Sequence, residues 1–117
     1  MSIKPDSLIF KNNQHMETIH ATDLHKIYEK QKDSLNLLDV RTIQEFDAGH
    51  IPEALNIDIM EQSFTDEIAK LPKDKTYHVV CRSGGRSASA CGYMESIGFT
   101  DVINIAGGML DWEGDTE

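Results

Sequence analysis

The loop Cys81-Arg82-Ser83-Gly84-Gly85-Arg86-Ser87 decides the fold of this chain. The run before it, 77–80, is typical of a strand, and the run after it, 88–97, is typical of a helix, so Cys81 lies where a strand gives way to a helix. Gly84 and Gly85 let the backbone curl until successive N–H groups converge above the cysteine, and the helix directs its positive end to the same point. The segment therefore predicts a loop that holds a negatively charged sulfur atom.

Strand-like and helix-like runs alternate on both sides of this loop. Further strands are predicted at 16–19, 35–40, 54–57 and 102–105. Helices are predicted after a cap at Thr22, from a cap at Thr42 through Asp47, over 65–70, over 87–97, and in a last short turn with Leu110 and Trp112 in the core. This alternation predicts an α/β fold with a central, mostly parallel five-stranded sheet and helices on both faces. Cys81 then lies at the carboxyl edge, where open α/β sheets bind ligands.

Length and charge narrow the function. The chain has 117 residues, enough for one core, and its 20 acidic and 11 basic residues leave a net charge of −9. This balance argues against a general nucleic-acid binder or a partner of anionic membranes. No apolar run approaches the roughly 20 residues that span a bilayer, and the start lacks the apolar run of a signal peptide, so we expect a cytoplasmic protein. Residues 1–14 are expected to form an arm or an edge strand, and residues 15–117 a single domain.

The two cysteines have different predicted roles. A mostly helical step separates Cys81 from Cys91, which places their Cα atoms roughly 12 Å apart, beyond the ~7 Å limit for a disulfide. Cys91 shares a helix face with Ala88 and Met94, which predicts a packing role. The five histidines, including His78 three residues before Cys81, lack metal-ligand spacing, so neither a metal nor a cofactor is expected. His78 as a general base is a weak alternative, because an ionised thiol needs none.

Two charged residues end the second predicted strand near the same edge. Asp39 and Arg41 are candidates for structural support, either through an Arg41–Glu45 pair one helical turn apart or through Asp39 holding loop amides.

Three stretches together resemble the rhodanese-like sulfurtransferase family, in the family's order and spacing over roughly residues 16–113. They are Leu37 to Arg41 with Glu45-Phe46 and Gly49 to Ile57, then Val79 to Ser87, then Asn104 to Trp112. The resemblance implies that Cys81 takes sulfur from a small anionic donor such as thiosulfate, forms a persulfide with release of sulfite, and passes the sulfur to cyanide, a thiol or a protein acceptor. The family's active-site loop carries over onto Cys81 through Arg86, with Ser87 opening the helix. Glu53 departs from the family's usual glycine at a turn distant from this loop.

The loop chemistry predicts roles for its other residues. Arg82 and Arg86 are candidates for binding a divalent oxyanion, and Arg86 is the stronger one because it matches the family's loop-closing arginine. Ser83 and Ser87 are candidate hydroxyl donors, with ordinary turn and cap roles as the alternative. Backbone amides, the helix terminus and the guanidinium groups are all expected to lower the pKa of Cys81.

Two other functions fit parts of the pattern. A cysteine phosphatase or arsenate reductase also places a thiolate and an arginine around an amide loop, but that loop has five residues between them in those enzymes and four here. The shorter loop favours a sulfur-sized group over a tetrahedral phosphate. A non-catalytic module, or a sulfur carrier that works with a protein partner, is the second alternative. The oligomeric state is left open by the sequence.

Overall fold

A computed structural model describes residues 16–31 and 33–117, so the predicted arm or edge strand at 1–14 lies outside the described residues. The elements, numbered along the described chain, are β1 Met16–His20, α1 Ala21–Gln31, β2 Leu37–Asp39, α2 Ile43–Asp47, β3 Leu55–Asn56, α3 Phe64–Ala69, β4 Thr76–Val80, α4 Gly85–Ser96, β5 Asp101–Ala106 and a 3-10 helix Gly108–Asp111. None of the helices in the described part of the chain is both long and apolar enough to cross a membrane.

The five described strands form one sheet in the order β1-β5-β4-β2-β3, and every neighbouring pair is parallel. This confirms the predicted α/β fold. Strand β4 is central, with Val79 beside Leu38 of β2 and beside Asn104 of β5. Because the strands are parallel, the loops after β2, β3, β4 and β5 meet at one edge of the sheet.

Helices cover both faces of the sheet, as predicted. On one face, Ile68 of α3 and Met94 of α4 pack in a cluster with Val79 and Cys81. On the other face, Leu24 and Tyr28 of α1 pack in a cluster with Val80. Successive strand residues alternate between the faces, so Cys81 shares its face with α4.

Some predicted details differ from the structure. Strand β2 is shorter than predicted, α1 begins before Thr22, and α4 begins at Gly85 rather than Ser87. The predicted core position of Leu110 is wrong, since this residue is 59% exposed, whereas the Trp112 ring packs edge-on against Tyr28 at 5.4 Å between centroids. The buried face of α4 consists of Ser87, Ala90, Cys91 and Met94, without Ala88.

Glu53 has a φ of 77°, in the left-handed region that favours glycine. The turn therefore requires the left-handed backbone conformation that glycine adopts easily, and glycine is the usual residue at this position in the family that the sequence resembles.

Candidate active site

Cys81 follows β4 directly, and the loop curls over its sulfur. The backbone N–H of Gly84 donates to Sγ at 3.1 Å and that of Ser87 at 3.4 Å, while the Ser87 hydroxyl oxygen lies 3.4 Å from Sγ. Burial raises the pKa of Cys81, but the Ser87 side chain and the amides of Ser87, Gly84 and Ser83 together outweigh it and lower the pKa. The arrangement favours a thiolate, which is the nucleophilic form of cysteine.

The loop keeps this shape because its carbonyl groups are bound on the opposite side. The carbonyls of Cys81, Arg82 and Ser83 accept hydrogen bonds at 2.9, 3.0 and 3.2 Å from three amides at the start of the 3-10 helix, those of Met109, Leu110 and Gly107. Carbonyls that are held outward leave the loop amides free to face the sulfur.

Two glycines make this contact possible. Gly84 has a φ of 114°, and a Cβ there would lie 3.4 Å from the Ala106 backbone. Gly108 has a φ of 49°, and a Cβ there would collide with the carbonyl oxygens of Cys81 and Arg82. Sequence reasoning missed the role of Gly108, although the Gly107-Gly108 pair was a visible signal of close backbone approach.

Arg86 does not project freely into the site. Its two terminal nitrogens donate to the two carboxylate oxygens of Glu45 at 2.7 and 2.9 Å. The hydrogen bonds from Arg86 are the main cause that lowers the pKa of Glu45 to about 2, and Thr42 adds to the effect. The predicted Arg41–Glu45 pair is therefore wrong, because the carboxylate is engaged by the active-site loop instead.

Thr42 and Glu45 form a reciprocal cap at the start of α2. The Glu45 amide donates to the Thr42 hydroxyl oxygen at 3.2 Å, and the Thr42 amide donates to the Glu45 carboxylate at 3.1 Å. This capping box fixes the side chain that binds Arg86. The capping role of Thr42 is confirmed, and it couples α2 to the active-site loop.

The remaining loop residues, Arg82 and Ser83, are exposed. Ser87 is buried, and its hydroxyl oxygen lies within hydrogen-bond distance of the Asn104 side-chain oxygen on β5 and of the Gly84 carbonyl, as well as of the Cys81 sulfur. Asn104 is therefore a part of this network that sequence reasoning did not identify. Ser87 links the sulfur to the sheet, whereas Arg82 and Ser83 face solvent.

Asp39 and Arg41 form a buried ion pair beneath the same edge. Arg41 donates to the Asp39 carboxylate from Nη2 at 2.8 Å and from Nε at 2.9 and 3.1 Å, and its Nη2 also donates to the Gly49 carbonyl at 2.8 Å. Asp39 also accepts the Arg41 amide at 3.1 Å. These contacts tie both ends of α2 to β2, as structural support of the segment that carries Glu45.

Two residues near Cys81 in sequence lie outside the loop that surrounds its sulfur. Cys91 is fully buried, and burial raises its pKa to about 12, so it remains a neutral thiol. His78 lies on the opposite face of β4 from Cys81, and burial lowers its pKa. Its placement excludes the general-base alternative.

No group of three or more His, Cys, Asp or Glu side chains within 16–31 and 33–117 could hold a metal ion. The chemistry that these residues support is nucleophilic attack by Cys81, with the loop amides stabilising negative charge on sulfur.

Comparison with known proteins gives a consistent result. The model of the rhodanese-like domain family matches residues 20–115. The putative sulfurtransferase YtwF of Bacillus subtilis is 41% identical over 85 residues, which cover 73% of this chain and 80% of that protein. The thiosulfate sulfurtransferase GlpE of Pseudomonas savastanoi is 38% identical over 96 residues, which cover 78% and 89%. A rhodanese-like domain protein from Staphylococcus aureus has a similar crystal structure, with a TM-score of 0.75, 34% identity and coverage of 87% of this chain and 97% of that one.

Proposed function

This chain belongs to the rhodanese-like domain family, and from that premise we propose that it transfers sulfane sulfur through a persulfide on Cys81. Relatives named as sulfurtransferases support sulfurtransferase activity in general. The observation that carries the finer proposal is the convergence of the Gly84 and Ser87 amides on the Cys81 sulfur.

In the first step, the Cys81 thiolate attacks the outer sulfur of a donor such as thiosulfate. A new S–S bond forms, the S–S bond of thiosulfate breaks, and its electron pair leaves with sulfite. The charge ends on the outer sulfur of the Cys81 persulfide. Cys81 is only 1% exposed, which favours a donor whose reactive sulfur is terminal and unbranched.

In the second step, an acceptor thiolate or cyanide attacks the outer sulfur, and the electron pair of the breaking bond returns to Cys81. The amides that lower the pKa of the thiolate also stabilise the anionic persulfide, because both place negative charge inside the loop. A cytoplasmic location, the identity of the acceptor and the binding of the donor by Arg82 and Arg86 remain predictions.

Treatment with thiosulfate should add about 32 Da, one sulfur atom, to the intact protein, and cyanide should then remove it as thiocyanate. Cys81→Ser should abolish the adduct and the turnover. Cys91→Ser is the matched control and should retain both. An adduct that persists in Cys81→Ser and disappears in Cys91→Ser would refute the assignment of the nucleophile.

A further inference from the structure

We infer that the Glu45–Arg86 pair selects the donor by charge, so that the site favours a sulfane sulfur donor with one negative charge over dianionic thiosulfate. This inference rests on the proposed function, since it concerns the donor that Cys81 attacks. It assigns Glu45 a role in specificity, without contact with the reacting atoms.

The first observation is that the charge of Arg86 is already matched. Both terminal nitrogens bind the two oxygens of Glu45, and both side chains are 30% exposed. Such a bidentate pair is among the stronger charge-assisted contacts. The capping box with Thr42 holds the carboxylate from the other side, so Glu45 cannot easily turn away when a donor enters.

The second observation is the balance of charges around the sulfur. Glu45 raises the pKa of Arg86 by its hydrogen bonds, and the negative charges of Cys81 and Asp58 raise it further at longer range. Glu45 is the negative group in direct contact with this guanidinium, and the other arginine of the loop, Arg82, is exposed. A second negative charge on a donor therefore meets an Arg86 charge that Glu45 already offsets, and the loop amides are left as its main source of stabilisation.

The ratio of two donors, compared between variants, tests this effect, because the difference between their leaving groups is the same in every variant. Methanethiosulfonate differs from thiosulfate by a methyl group in place of one anionic oxygen, and it carries one negative charge instead of two. In both reactions the Cys81 thiolate attacks the terminal sulfur and the S–S bond breaks. The electron pair leaves with methanesulfinate in one case and with sulfite in the other, so the persulfide product is the same.

The experiment measures kcat/KM for both donors, with cyanide as acceptor, in the wild-type protein and in Glu45→Gln. Glutamine keeps one acceptor oxygen, which can still cap α2 and accept from Arg86 Nη1, but it removes the charge and the second acceptor. We expect the wild-type protein to prefer methanethiosulfonate. In Glu45→Gln, the preference should shift toward thiosulfate by about fivefold to tenfold, mainly through a lower KM, as expected for one unit charge a few ångströms away near the surface.

Two variants serve as controls. Glu29→Gln makes the same change in charge near the end of α1. Because α1 runs from the carboxyl edge of the sheet toward the opposite edge, this variant should leave the ratio of kcat/KM for the two donors unchanged. Glu45→Asp keeps the charge with a shorter side chain and should stay near the wild-type ratio even if overall activity falls.

The inference is overturned if the wild-type protein prefers thiosulfate, or if Glu45→Gln changes both donors by the same factor. The second result would indicate a purely structural pair. If neither donor forms a persulfide on the folded wild-type protein, the proposed function itself fails.

Discussion

Replacement of Gly108 by alanine should disturb the Cys81 loop on its carbonyl side, away from the Cys81 sulfur and the amides that face it. Gly108 has a φ of 49°, and a Cβ there would collide with the carbonyl oxygens of Cys81 and Arg82. These two carbonyls accept the amides of Met109 and Leu110 at 2.9 and 3.0 Å, so the collision has to displace the contacts that shape the loop.

The expected cost has two parts. A left-handed backbone conformation costs a residue with a Cβ about 1–2 kcal/mol. Weakening of two hydrogen bonds adds about 0.5–1.5 kcal/mol each. The free energy of unfolding of Gly108→Ala should therefore fall by about 2–5 kcal/mol. The pKa of Cys81 should rise as the amides of Gly84 and Ser87 move off the sulfur.

Urea unfolding measures the first effect, and the absorbance of the thiolate near 240 nm against pH measures the second. The matched control is Gly92→Ala in α4, where a Cβ meets no atom within 4 Å. That variant should be more stable by about 0.5–1 kcal/mol, because alanine favours a helix interior. A Gly108→Ala protein with wild-type stability and an unchanged pKa at Cys81 would refute the role assigned to the 3-10 helix.

Three further predictions concern stability and reactivity. The pKa of Glu45 is lowered from 4.5 to about 2 in the folded state, so its stabilising contribution is present above pH 4.5 and lost toward pH 2. Between these pH values, the free energy of unfolding should therefore fall less steeply in Glu45→Gln than in the wild-type protein, and equal slopes would contradict this. Burial raises the pKa of Cys91 to about 12, so iodoacetamide should modify Cys81 alone in the folded protein and both cysteines in urea, as read by peptide mass; labelling of folded Cys91 at a similar rate would contradict it. Arg41→Ala leaves the buried Asp39 carboxylate without its cation and should lower the free energy of unfolding by about 3–5 kcal/mol in urea titrations, and a loss below ~1 kcal/mol would exclude the pair as a structural support.

The sequence was sufficient for features that depend on near neighbours. The position of Cys81 between a strand and a helix follows from a local change of residue pattern, and the turn follows from Gly84 and Gly85. The cap of α2 by Thr42 is equally local, since Thr42 and the residue whose amide it caps, Glu45, lie one helical turn apart. Alternating strands and helices then restrict the topology to a parallel sheet, because a parallel connection needs a crossover.

The local sequence pattern was less reliable for predicting which side chains are buried and which charged residues pair. Leu110 follows the last strand like a core residue, but the short 3-10 helix turns it outward. The proximity of Arg41 to Glu45 in sequence suggested an ion pair, but Arg41 instead reaches back to Asp39 within the sheet edge.

Only the tertiary structure decided the partners of the loop. The contact between Arg86 and Glu45 joins residues 41 positions apart, and the hydrogen bonds from the 3-10 helix to the loop carbonyls depend on β5 lying beside β4. Such contacts depend on how strands are ordered in space, which no local pattern of residues encodes. The sequence by itself determined that Cys81 lies in an amide loop at the carboxyl edge, whereas strand packing decided which groups hold that loop and balance its charge.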